Sequence, residues 1–126
     1  MKQIIHTSKA PEPIGPYSQA VLVNETLYVS GQIPVDPATN LIVSDSIEAE
    51  AEQVMKNISA ILTEAGFDFD NVVKSTIFLS SMEHFAQVNT IYGAYFSGVF
   101  PARETVAMAG LPKGVNVEVS VIACKD

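Results

Sequence analysis

Near the C-terminus Val115, Val117, Val119 and Val121 alternate with Asn116, Glu118 and Ser120. A strand turns successive side chains to opposite faces, so this stretch demands a sheet with one aliphatic face and one face bearing polar groups. Whatever covers the valines must bring an apolar stripe of its own. Ile47, Ala51, Val54, Ile58, Ile61, Leu62 and Ala65 recur at spacings of three and four, which makes such a stripe on a helix. Asp45 with Glu48 resembles an N-cap with reciprocal capping, and Gly66 can stop the helix in a left-handed C-cap. Ser80 and Glu83 match a second capping box, ahead of a stripe formed by Phe85, Val88, Tyr92, Tyr95 and Phe96.

Further β-prone runs occupy residues 3–7, 20–23, 26–30, 72–79 and 105–109, with Asn24-Glu25 as a tight hairpin turn. The prolines of residues 11–16 and 31–40 make those stretches loops, and 111–114 is a turn. The order is β-β-β-α-β-α-β-β, an α+β fold, and 126 residues without linker or repeat make one domain, 1–126. Two helices cover one face of the sheet. The other is apolar too, as on the Val72/Phe78 side of its strand, so a homo-oligomer closed on itself is expected.

Composition narrows the function. With 48% hydrophobic and 17% charged residues the chain is not disordered, and a net charge of −7 repels nucleic acid. A single cysteine, Cys124, and two isolated histidines, His6 and His84, argue against a disulfide and against a metal site. Cys124 reads as a small buried apolar residue. No secretory leader and no apolar run approaching the roughly 20 residues of a membrane span are present, so a soluble cytoplasmic domain is expected. There is no G-x-S-x-G elbow, P-loop or G-x-G-x-x-G, which leaves little support for a nucleophilic serine or a nucleotide cofactor.

Several polar residues stand where a purely structural chain does not need them. Glu118 interrupts an apolar strand: either it lies on a solvated face, or it is a semi-buried carboxylate able to handle water and protons. Arg103 is either a surface arginine paired with a neighbour such as Glu104, or a planar fork for a carboxylate. Asn89 on the second helix needs a backbone partner or a ligand. Tyr17, after Gly15-Pro16, is a core plug or a cleft wall. At Ser30-Gly31-Gln32 the glycine allows the backbone to approach a ligand closely.

These motifs, taken in order, resemble the RidA family of reactive enamine/imine deaminases. The resemblance rests on Ile14-Gly15-Pro16-Tyr17-Ser18-Gln19-Ala20, Val29-Ser30-Gly31-Gln32-Ile33-Pro34 and Phe85-Ala86-Gln87-Val88-Asn89. It continues through Phe100-Pro101-Ala102-Arg103, Leu111-Pro112-Lys113-Gly114 and Val117-Glu118-Val119. It implies a chorismate-mutase-like homotrimer with a cleft at each subunit interface, and hydrolysis of 2-imino and 2-enamino acids to 2-keto acids and ammonia without metal or cofactor. Arg103 would then hold the substrate carboxylate and Glu118 would orient water and manage its proton. Tyr17, Ser30, Gly31, Asn89 and Thr105 would line the cleft, where Arg103 and Glu118 are expected to converge. The chain departs from the common pattern at Glu104, Thr105 and Gly110; strand alternation places Glu104 on the face opposite Arg103 and Thr105. Two other readings are a non-catalytic trimer that captures small carboxylic acids and, as attached to some relatives, a ribonuclease, which the negative charge disfavours.

Overall fold

The computed structural model describes residues 1–126. The strands are β1 (Lys2–Ile5), β2 (Ala20–Val23), β3 (Thr26–Gln32), β4 (Val35–Asp36), β5 (Leu41–Ile42), β6 (Val72–Leu79), β7 (Ala102–Ala107) and β8 (Val117–Cys124). The helices are α1 (Ile47–Glu64) and α2 (Phe85–Gly93). Six strands form one sheet in the order β1-β2-β3-β8-β6-β7, and β4 with β5 makes a separate small hairpin. Only β6 and β7 pair in parallel, joined across α2. The α+β expectation therefore holds, with β4 added inside the 31–40 stretch that the prolines mark as a loop and β5 just beyond it.

The alternation in β8 works as expected: Val117, Val119 and Val121 are buried beneath the helices. Against them α1 buries Ala51, Val54, Ile58, Ile61 and Leu62, and Gly66 follows its end with φ +79°. Asn24 takes φ +54° in the β2–β3 turn. Several boundaries differ. The cap of α1 is Ser46 rather than Asp45, its Oγ accepting from the Ala49 N–H at 3.0 Å. Ser81 rather than Ser80 caps a short 3₁₀ turn (Met82–His84) leading into α2, and the Ser80 hydroxyl donates instead to Asn116 Oδ1 at 2.6 Å. Strand β7 begins at Ala102, three residues before the expected start, because parallel pairing with β6 takes in Arg103 and Glu104.

The Val72/Phe78 reading needs correction. Register shifts between Val72 and Lys74, so one extra residue reverses the alternation. Val72 joins the core with Ile77 and Leu79, and Phe78 is left on the uncovered face. Cys124 is exposed rather than buried, one step beyond Ala123 at the end of β8.

The loop ahead of β2 is held by one buried side chain. Gln19 Oε1 accepts from the Thr7 N–H at 2.7 Å, while Nε2 donates to the carbonyls of Thr7 at 3.0 Å and Pro11 at 2.9 Å. Replacing Gln19 with alanine strands those groups. We expect Gln19→Ala to cost about 3 kcal/mol, since each unmade buried hydrogen bond costs about 1 kcal/mol or more. Urea unfolding measures this; a midpoint equal to wild type would show that something else holds the loop.

Candidate functional site

Cross-strand partners share a face of a sheet, so the register places every candidate side chain. Arg103 lies opposite Ser75 and Thr105 opposite Ile77, on the face covered by the helices. Glu104 lies opposite Thr76, and Glu118 opposite Phe78, on the other face. Glu104 stays away from Arg103, as alternation requires: it pairs with Lys74 at 3.2 Å and accepts from Thr76 at 3.1 Å. Those two contacts, Lys74 foremost, hold its carboxyl below the usual range.

The arginine half of the site is built by α2. Phe85, Asn89 and Tyr92 stand at i, i+4 and i+7, one face of the helix. Arg103 Nη1 donates to Asn89 Oδ1 at 2.6 Å. Its guanidinium carbon lies 5.2 Å from the Tyr92 ring centroid and 5.7 Å from that of Phe85, within cation–π range. Tyr92 is itself fixed, its hydroxyl donating to Ser75 Oγ at 2.8 Å. The partner of Asn89 within the chain is thus the arginine and not backbone. An open pocket lies here, lined by Asn89, Tyr92, Gly93, Phe100, Pro101 and Arg103. One of the five guanidinium N–H donors is engaged within the chain, which leaves a fork for an anion.

The carboxylate half lies across the sheet. Register slips between Val29 and Gln32, a bulge that pushes Ser30-Gly31 out of the regular ladder beside β8. A Cβ on Gly31 would sit 2.2 Å from Glu118 Oε2, so only glycine leaves room for the carboxylate as it stands. No cation pairs with Glu118, and burial raises its pKa above the usual carboxylate value. Ser30 Oγ donates to the Ser18 carbonyl at 2.6 Å. Tyr17 is 48% exposed and its hydroxyl accepts from the Ile14 N–H at 3.3 Å, which makes it a cleft wall and not a core plug. With Ile14, Ile33 and Pro112 these residues line an open pocket.

One chain therefore brings Tyr17, Ser30, Gly31 and Glu118 together, and separately Asn89 and Arg103 with Thr105 nearby on the same face. It does not bring Arg103 and Glu118 into one cavity, because they alternate onto opposite faces. No three His, Cys, Asp or Glu side chains gather closely enough to share a metal ion. Sequence reasoning missed three contributors. Phe85 and Tyr92 read as core, since nothing in their spacing names a distant arginine. Glu50 was passed over although it stands three residues after Ile47, on the buried stripe. It is 3% exposed and accepts from the Asn116 N–H at 3.0 Å and Nδ2 at 2.7 Å, tying α1 to the start of β8.

Comparison with known proteins agrees with this fold. AldR of Lactococcus lactis, a protein named as a regulator, is 56% identical over 96% of each chain. The human protein named 2-iminobutanoate/2-iminopropanoate deaminase is 49% identical, covering 98% of this chain and 90% of its own. The crystal structure of YyfA from Yersinia pestis, described as a Rid family protein, superposes with a TM-score of 0.96 at 50% identity, over 99% of this chain and 100% of its own. Residues 7–125 match the family described as Endoribonuclease L-PSP, and with relatives this close along its whole length the chain belongs to that family, the Rid proteins its motifs resemble.

Proposed function

We propose that the chain hydrolyses small 2-imino and 2-enamino acids, such as 2-aminoacrylate and 2-aminocrotonate, to 2-keto acids and ammonia, as a cytoplasmic homotrimer. The observation that carries this reading is the pair of complementary half-sites on opposite faces of one sheet. A guanidinium with unused donors lies on one face, and a half-buried carboxylate without a cation on the other. Closing a ring of copies sets the arginine half of one against the carboxylate half of the next, and covers the Phe78 face in the same step. The name carried by the human relative supports the chemistry.

The mechanism follows from what such a cleft can do. Arg103 grips the substrate carboxylate and fixes the imine carbon, which is already electrophilic. Glu118 takes a proton from water as its oxygen bonds to that carbon and hands it to the imine nitrogen, giving a carbinolamine. The same carboxyl then carries the carbinolamine's hydroxyl proton to nitrogen as the C–N bond breaks and the carbonyl forms, so ammonia leaves a keto acid. A carboxyl raised toward neutrality suits both halves of this exchange. No cofactor enters. A second reading, suggested by AldR, is a trimer that captures keto acids without turnover; 2-ketobutyrate raising the melting temperature while a coupled dehydratase assay stays flat would favour it.

Arg103→Ala and Glu118→Gln, each inactive alone, should complement when unfolded together and refolded at equal concentration. Random assembly rebuilds about a quarter of the sites if each draws its halves from two copies. A mixture as inactive as its components would rule out the shared cleft.

The raised pKa of Glu118 sets a second expectation. The native state holds this proton more tightly than the unfolded chain, so its contribution to stability is full below the unfolded value of 4.5 and is lost as pH rises through the folded one. Glu118→Gln should therefore melt higher than wild type at pH 7, with the difference closing on acidification. Equal melting at pH 7 would show that the carboxylate is not desolvated.

Gly31→Ala should fold but lose most activity, because the new methyl displaces the flexible end of Glu118 rather than backbone. A wild-type rate in the coupled assay would remove that carboxylate position from the mechanism.

A further inference from the structure

The turn at residues 111–114 sets a lysine where the backbone suits glycine or asparagine. Lys113 has φ +57° and ψ 17°, and Gly114 follows at φ +68°. A Cβ is disfavoured in this left-handed region, and the bonds that close the turn are backbone ones, from the Gly114 N–H to the Leu111 carbonyl at 3.0 Å and from the Val115 N–H to the Pro112 carbonyl at 3.3 Å. Nor does the lysine gain an ion pair. Those of the protein are His6 with Glu12 and Lys74 with Glu104. A strained backbone under a charge without a partner points to work done by the charge.

Its surroundings supply that work. Lys113 lines a recess that shares Ile14, Tyr17, Gly31 and Ile33 with the pocket of Glu118, so the two open into one region. The acids on these walls are Glu12 and Glu118, and Lys113 is the one lysine or arginine there. A chain of net charge −7 repels an anionic substrate, and two carboxyl groups beside the entrance add to that repulsion. We propose that Lys113 is a recruiting residue: its ammonium offsets these acids and raises the local concentration of an imino-acid anion beside the Glu118 pocket before Arg103 takes the carboxylate. This rests on the deaminase reading and adds a property to it. Capture acts through charge at a distance and not through a fitted contact, so it depends on ionic strength and leaves the chemical step alone.

Lys113→Asn and Lys113→Arg test the assignment, since asparagine tolerates the left-handed backbone without the charge and arginine keeps the charge. In dilute buffer asparagine should raise KM for the imine about threefold with kcat held, and weaken 2-ketobutyrate by the same factor in titration calorimetry. Both differences should vanish in about 0.5 M salt, where screening acts within a few ångströms. Arginine should match wild type at either salt. The asparagine variant should also melt about a degree or more higher in that salt, with its backbone relieved. An unchanged KM in dilute buffer, a difference that survives salt, or a lower melting temperature overturns the proposal; the second would show a fitted contact and the third a structural lysine. Calorimetry reads binding without turnover, so the two ideas separate. A wild-type protein that releases no keto acid, yet loses salt-sensitive affinity on Lys113→Asn, defeats the deaminase reading alone. An active one indifferent to the change defeats this inference alone.

Discussion

Hydrogen-bonded register among β6, β7 and β8 decides where every chemical group of this protein goes. Because β7 runs parallel to β6 while β8 runs antiparallel, Arg103 meets Ser75 and Glu118 meets Phe78, and adjacent positions on β6 alternate between faces. The two residues with most to offer an anionic, water-consuming reaction are thereby kept apart within a chain. Shifting one strand by a single residue would exchange every inward and outward group, so the buried valines of β8 enforce the separation as firmly as any contact at the site. Core and chemistry share one constraint.

Much of this could be read from residue order. The valine alternation and the α1 stripe are strong periodic signals, and burial follows them closely. The outward placement of Glu104 came from counting along a strand. What escaped depends on long-range geometry. The extra residue in β6 that turns Phe78 outward has no local marker, since Val73 is as good a strand former as its neighbours. The neighbouring capping residues Asp45-Ser46 and Ser80-Ser81 differ too little in capping chemistry to fix a helix start, and at the second pair a tertiary partner decided: Asn116 claimed the Ser80 hydroxyl. The bond from Arg103 to Asn89 spans 14 residues, and nothing in either segment alone announces it.

The family description speaks of an endoribonuclease, while the chain carries a net charge of −7. Binding a polyanion depends on releasing counterions to many cationic side chains, and seven lysines and arginines against 14 acids offer little for that. A lone guanidinium beside two rings offers little to a polyanion. The Phe85 and Tyr92 rings lie within cation–π range of it and share its side of the sheet.

The contact between Gly31 and Glu118 carries an evolutionary consequence. The absence of a side chain at 31 is explained only by the acid pressed against it. A descendant that traded Glu118 for a small neutral residue would release position 31 to drift, and a descendant that first acquired a methyl there would lose the selective reason to keep the acid. The two sites should thus change as a couple across a lineage, so that a bulky residue at the bulge marks a copy that has left this chemistry for another trade.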